Sequence, residues 1–148
     1  MRRIDQDMAL IAAEQLPDVS DRSAEELRTR FRQLPAQLHT SGLAATYAFL
    51  AARSGTASSQ ELRDAYGRVA ELIRGHLAEL ELVPGGLSST PVPAAHQDMF
   101  TALGQMDTVD YARASAEVAR LFGWLRRIAE AVYADRSGGG QDDGEGRT

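Results

Sequence analysis

The 148-residue chain contains no cysteine and no lysine, and no apolar run in it is long enough to cross a bilayer. Without cysteine it can form no disulfide, thiol nucleophile or zinc–thiolate site. The N-terminal apolar stretch is interrupted by Asp5, Asp7 and Glu14, whereas the apolar region of a signal peptide contains no acidic residues. We therefore expect a cytoplasmic protein that is neither exported nor bound to a membrane.

Positive charge is also scarce. The net charge is −5, whereas domains that coat nucleic acid by bulk attraction are usually basic overall. All 16 basic residues are arginines. Any contact with nucleic acid must therefore be local, on a surface where arginines gather.

Helical periodicity, in contrast, is abundant. Apolar residues recur at intervals of three and four, and no stretch alternates as a strand does. The pattern predicts an all-α fold, a single compact bundle of five or six helices over residues 1–136. The acidic, Gly-rich segment 137–148 has the composition of a disordered tail. The predicted helices cover approximately 3–16, 20–42, 42–55, 58–84, 96–106 and 109–134.

Residues that start, stop or bend helices mark these boundaries. Pro35 falls inside the apolar stripe of the second helix and predicts a kink rather than a break. Gly42 predicts a tight turn into the third helix, which we expect to be the central one because alanines lie on several of its faces. Alternative N-caps are Ser20, Asp21 or Ser23 for the second helix, Ser58 or Ser59 for the fourth, and Asp107 or Thr108 for the last.

The sequence offers no arrangement typical of catalysis. His39, His76 and His96 lie in separate segments, none of them in an HExxH pattern, and we interpret them as surface or helix-end residues. Neighbouring carboxylates are those of ordinary solvated helices, and serines are explained by caps and turns. We expect no enzyme, no catalytic residue, no metal site, no cofactor and no small-molecule substrate.

The last helix has two distinct faces. At about 100° per residue, three arginines fall opposite the apolar side, each about 10 Å further along the axis than the one before. We call Arg113, Arg120 and Arg127 the arginine stripe. The predicted core face comprises Tyr111, Ala114, Val118, Leu121, Phe122, Leu125, Ala129 and Val132.

Two interpretations of the arginine stripe are open. It is either a solvated face partnered by Glu117 and Glu130, or a track for the backbone of RNA or DNA, since arginine makes planar two-pronged contacts with phosphate. On the second helix, Arg28 and Arg32 stand one turn apart and form a possible second basic edge for nucleic acid.

Trp124, the only tryptophan, lies beside the arginine stripe rather than on the apolar face. It either packs under a neighbouring helix, meets another protein or stacks on a base. Arg126 points away from the stripe and is predicted to contact a different neighbour. We assign both residues to a protein interface.

Two segments, "RTRFRQLPAQLHTSGLAATYAFLAARSG" and "YARASAEVARLFGWLRRIAEAVY", together resemble the small α-helical subunit of type III-B CRISPR (Cmr) effector complexes. The resemblance implies a bundle without catalysis, present in several copies stacked as a minor filament, that supports crRNA and target RNA. The implied partners are other subunits of the complex, copies of the chain itself, and RNA. Residues that carry it are Leu34-Pro35, Gly42-Leu43, Ala48-Phe49-Leu50, Tyr111, Glu117 and Trp124-Leu125-Arg126-Arg127.

Two other hypotheses stand beside this one. A helical protein–protein adaptor with no nucleic-acid role would be favoured by an arginine stripe wholly paired within the monomer. An enzyme with a metal held among carboxylates of the bundle would be favoured by a bound divalent ion.

Overall fold

The computed structural model describes residues 4–16, 18–88, 92 and 94–145. Within these ranges the chain forms helices and no strand, as the all-α prediction requires. A short 3-10 helix, Gly85–Ser88, lies between the fourth and fifth α-helices. The α-helices are α1 (Ile4–Gln15), α2 (Asp21–Ser41), α3 (Leu43–Thr56), α4 (Gln60–Glu79), α5 (Ala94–Gln105) and α6 (Thr108–Glu145).

Side-chain caps select among the predicted helix starts. The Ser20 hydroxyl accepts the Ser23 N–H at 3.4 Å at the start of α2, and the Ser59 hydroxyl accepts the Leu62 N–H at 3.2 Å at the start of α4. The Asp107 carboxylate accepts the Asp110 N–H at 2.7 Å before α6. Each cap is one of the alternatives that the sequence had left open.

Gly42 ends one helix and begins the next. Its backbone lies at φ 92° and ψ 168°, a region that is essentially restricted to glycine. Its N–H donates to the Leu38 carbonyl at 2.9 Å, and its own carbonyl accepts the Thr46 N–H at 3.0 Å. The helix before it runs unbroken through Pro35, so the prediction that proline would not end α2 is confirmed.

The C-terminus of α4 is closed by a Schellman motif. The Leu82 N–H donates to the Leu77 carbonyl at 2.9 Å and the Glu81 N–H donates to the Ala78 carbonyl at 3.0 Å. Glu81 occupies the left-handed position with φ 60°, where glycine is the usual residue.

The core lies between α2, α4 and α6, with α1 and α3 packed on its sides. Antiparallel α2 and α6 bury the stripe predicted for α2 against the inner face of α6. The α2 residues in this contact are Leu27, Phe31, Leu34 and Leu38, and the α6 residues of the core are Ala114, Val118, Leu121, Phe122, Leu125, Ala129 and Tyr133.

Two expectations about the core were wrong. Val132 is 50% exposed, and Tyr133 is buried in its place. The last buried residues of α6, Leu125, Ala129 and Tyr133, are spaced by four. In a helix of 3.6 residues per turn, each step of four turns about 40° beyond a full turn, so the buried face moves round to Tyr133. The central helix is α4, which buries nine residues where α3 buries four. The alanines Ala45, Ala48 and Ala52 of α3 are exposed, so their abundance did not mean burial.

The backbone of α6 is helical to Glu145, and its side chains are described to Tyr133. The division into a bundle over 1–136 and a disordered tail over 137–148 stays a prediction, and residues 146–148 lie outside the described ranges. No described helix combines the length and the apolar composition needed to traverse a bilayer.

Candidate nucleic-acid interface

The arginine stripe lies on the outer side of α6. Arg113, Arg120 and Arg127 are all exposed, whereas Val118 and Leu125 on the opposite side are completely buried. The contact of α6 with the core thus fixes which way the stripe faces. Because a guanidinium stays protonated at any physiological pH, the stripe carries permanent positive charge.

Only part of that charge is balanced within the chain. Arg120 Nη1 lies 3.9 Å from Glu117 Oε1, a loose contact with a carboxylate whose other oxygen is 3.1 Å from His76 Nε2 on α4. Arg113 forms no ion pair with any residue that the structure describes. The stripe is therefore not wholly paired within the monomer, which was the condition that would have favoured the adaptor hypothesis.

Trp124 lies at the border between the core and the arginine stripe. Its indole is half-buried and packs against the core cluster. The Arg127 guanidinium carbon lies 5.4 Å from the centre of the Trp ring system, within cation–π distance. Trp124 thus holds the last arginine of the stripe against the bundle, and its predicted role in a protein interface stays a prediction.

Arg32 extends the positive surface from α6 onto α2. Its Nε lies 3.1 Å from Glu130 Oε1, and Arg126 Nε approaches the same oxygen at 4.0 Å. We call Arg32, Arg126 and Glu130 the Glu130 cluster. On the α6 wheel Glu130 falls about 60° from Arg127, so the cluster borders the arginine stripe. Within this chain Arg126 contacts Glu130 of its own helix, and the different neighbour predicted for it stays a prediction.

Arg28 contributes less to this surface. It lies one turn before Arg32 on α2, is half-buried and is already engaged in a contact within the chain. The arginine stripe and the Glu130 cluster together contain five arginines, and the carboxylates that these arginines contact are those of Glu117 and Glu130. Five cations against two anions leave a local excess of three positive charges on a chain whose total is −5.

Sequence reasoning missed a second cationic feature, buried between α3, α4 and α5. Arg74 is 3% exposed, and its Nη1 donates to Tyr47 Oη at 2.9 Å. Tyr47 Oη in turn lies 2.7 Å from His96 Nδ1. Burial raises the pKa of Tyr47, although the hydrogen bond from Arg74 opposes this, and burial lowers the pKa of His96 with a further contribution from Arg74. The sequence did indicate that Arg74 is buried, because position 74 follows Ala70 by four residues on the apolar stripe of α4.

The carboxylate of Glu61 has a structural role. In the cleft between the starts of α2 and α4, the Glu61 carboxylate accepts the Ser20 N–H at 3.1 Å and the Ser20 hydroxyl at 2.8 Å. These hydrogen bonds, the side-chain one foremost, lower the pKa of Glu61. Glu61 therefore links the starts of α2 and α4. Among the described residues, no three His, Asp or Glu side chains converge as metal ligands.

Comparison with known proteins gives one finding. The sequence model of a family described as CRISPR-associated protein (Cas_Cmr5) matches residues 4–132. The match runs from the start of α1 to near the end of the core-facing part of α6, and it includes the arginine stripe and the Glu130 cluster. Searches of curated proteins and of solved structures give no match.

Proposed function

The chain belongs to the CRISPR-associated Cas_Cmr5 family, whose members are small subunits of type III-B complexes, and we propose that it is a non-catalytic subunit supporting RNA in such a complex. In this proposal it works in the cytoplasm, stacks with copies of itself as a minor filament, and lies beside the other subunits. It contacts crRNA and target RNA through their backbones.

The observation that carries the proposal is the exposed, incompletely paired arginine stripe. Its three guanidinium groups are spaced by about 10 Å, so they extend over about 20 Å of helix. A row of that length suits a strand lying along α6, and each guanidinium can bind a phosphate with two parallel hydrogen bonds. Arg32 and, to a lesser degree, Arg28 would add phosphate contacts from the α2 side.

Contacts of this kind do not distinguish one base sequence from another, and the proposed role does not require the protein to do so. In RNA-guided effectors the guide pairs with its target and supplies the sequence specificity, while protein holds shape and backbone. The overall negative charge then has a simple consequence. The isolated chain binds RNA poorly, and the local excess of positive charge becomes effective when other subunits bring RNA to α6.

Trp124 and Arg126 are proposed to meet neighbouring subunits at the edges of the arginine stripe. A half-buried tryptophan presents one apolar edge to a partner while its other side stays anchored in the core. A stripe bordered by protein contacts would position RNA along the filament rather than across it.

The test is charge reversal in the reconstituted complex. R113E/R120E/R127E should still assemble but bind target RNA more weakly, and the dependence of affinity on salt should fall. About 0.7 units of log–log slope are lost for each phosphate contact to a single strand, hence about 2 for three contacts. R113E/R127E and R22E/R68E form a matched pair of double reversals, because Arg22 and Arg68 are exposed on other helices.

Three results would count against the proposal. Unchanged RNA affinity and salt slope in an assembled complex containing the triple variant would mean that the arginine stripe does not touch RNA. Equal losses from R113E/R127E and R22E/R68E would mean that only total charge matters. An assembled complex that never contains RNA would leave the protein–protein adaptor as the better description.

A further inference from the structure

Two arginines from different helices converge on one carboxylate oxygen in the Glu130 cluster. Arg32 on α2 donates its Nε–H to Glu130 Oε1 at 3.1 Å, and Arg126 Nε on α6 lies 4.0 Å from the same oxygen. No other carboxylate oxygen of the described residues lies within ion-pair distance of two arginines. The packing of α2 on α6 thus brings two permanent cations to a single point on the surface.

This arrangement is that of an anion-binding site whose anion belongs to the chain itself. Guanidinium groups bind carboxylate and phosphate through the same N–H donors. The Glu130 carboxylate is attached to α6, and it reaches only Arg32 at hydrogen-bond distance, because 4.0 Å from Arg126 Nε is too long for a hydrogen bond. A phosphate that comes from outside the chain has no such attachment and can approach both guanidinium groups. The two arginines are therefore better suited to a phosphate than to Glu130.

The contacts that hold Glu130 in this place are weak. The side chains of Arg32, Arg126 and Glu130 are 55%, 50% and 40% exposed, and exposed ion pairs contribute little to stability because water and salt screen them. Glu117, the carboxylate beside the arginine stripe, is 19% exposed and lies 3.1 Å from His76 Nε2 on α4. Of these two carboxylates, Glu130 is the one that a competing anion displaces more easily.

The Glu130 cluster continues the arginine stripe. Glu130 follows Arg127 by three residues, so it lies about 4.5 Å further along the axis of α6 and about 60° around it. Its contact with Arg32 shows that this rotation is toward α2. A strand that follows the arginine stripe along α6 therefore reaches the two arginines of the Glu130 cluster directly after Arg127.

We propose that Arg32 and Arg126 form a binding site for a backbone phosphate of RNA, and that Glu130 is its internal counter-ion, which fills the site until RNA displaces it. The inference rests on the proposed function, because its ligand is the RNA that follows the arginine stripe. It is compatible with the subunit contact proposed for Arg126, since a guanidinium has five N–H donors, of which the one on Nε lies nearest Glu130. Displacing Glu130 uses part of the binding energy, so RNA that the arginine stripe does not also hold gains little from this site.

The first test measures phosphate binding by the isolated full chain. Nuclear magnetic resonance would follow the Nε–H signals of Arg32 and Arg126 while inorganic phosphate replaces chloride at constant ionic strength. Both signals should shift saturably, and E130Q should reach half-saturation at about two- to fivefold lower phosphate, the effect expected when an exposed ion pair no longer competes. E71Q is the matched control, because Glu71 is exposed on α4 and its replacement removes the same charge. It should titrate as the parent does.

The second test uses the assembled complex and its target RNA. E130Q should bind RNA about two- to fivefold more tightly than the parent, and also more tightly than E71Q. R32Q/R126Q should bind RNA more weakly and lose about 0.7 units of log–log salt slope, the value for one phosphate contact to a single strand. When E130Q is added to R32Q/R126Q, it should increase the affinity no more than E71Q does.

The outcomes separate this inference from the RNA role of the arginine stripe. Equal gains from E130Q and E71Q, or a gain from E130Q that persists in R32Q/R126Q, would mean that only net charge matters and would overturn the inference. If the triple charge reversal of the arginine stripe weakens RNA binding and R32Q/R126Q does not, the stripe binds RNA and the additional site is wrong. If RNA binding responds to neither variant while phosphate still saturates the isolated chain, the proposed function fails, and the assignment of this site to RNA fails with it.

Discussion

Replacing Gly42 with alanine should destabilise the protein through backbone strain alone. At φ 92° and ψ 168° a residue with a side chain is held in a region that costs about 1–3 kcal/mol. A Cβ at this position would lie 3.8 Å from Tyr111 Oη, an ordinary van der Waals distance, so no steric clash adds to the loss. We expect the free energy of unfolding to fall by about 1–3 kcal/mol.

Thermal and urea denaturation followed by circular dichroism measure this directly. For a chain of this size about 1 kcal/mol moves the melting temperature by about 2–4 °C, so G42A should melt about 2–12 °C lower. G75A is the matched control, because Gly75 lies inside α4 and a Cβ there meets nothing within 4 Å. It should gain about 0.5–1 kcal/mol from helix propensity. Shifts of the same sign in both variants would refute the assignment of strain to Gly42.

Three further predictions concern single side chains, each checked by urea unfolding. Y111F should lower the free energy of unfolding by about 0.5–2 kcal/mol, the usual cost of a missing cap. Tyr111 Oη accepts the Ala44 N–H at 3.0 Å, at a helix start where Gly42 offers no side-chain cap. Unchanged stability would mean that water replaces the hydroxyl. E81G should gain about 1 kcal/mol by relieving the left-handed conformation, and a loss would show that the carboxylate is needed. The pKa of His96 is lowered in the folded state, so the unfolded chain binds the proton more readily. Its contribution to stability is complete above its ordinary pKa of 6.5 and is lost as pH falls below it, and H96Q should show a smaller fall between pH 7.5 and 5.5.

Helix positions were predictable because they depend on local physics. Ser20, Ser59 and Asp107 each cap the helix that follows them, and the apolar period of α2 identified its buried face before any neighbour was known. The exposure of the arginine stripe followed from the same period. Positions 132 and 133 of α6 did not follow it, because the buried positions there recur every four residues, so that Tyr133 and not Val132 is buried.

Contacts between helices could not be predicted from one sequence. The Glu130 cluster exists because antiparallel packing brings residue 32 of α2 beside residue 130 of α6, 98 positions away. The contacts of Tyr47 with Arg74 and His96 likewise join three helices, and a lone arginine in an apolar stripe gave no indication that it would meet Tyr47. Helical period gives the direction of a side chain, whereas its partner depends on the tertiary arrangement.

The pairing of α2 with α6 bears on how the protein is made. As the chain emerges during synthesis, α2 is complete about 70 residues before α6 begins, and the hydroxyl that caps α3 is 67 positions downstream of its N–H. Until then the apolar stripe from Leu27 to Leu38 faces water or a chaperone, and the start of α3 has no side-chain cap. A chain that ended before α6 would therefore leave the apolar stripe of α2 without the helix that covers it and the start of α3 without its cap.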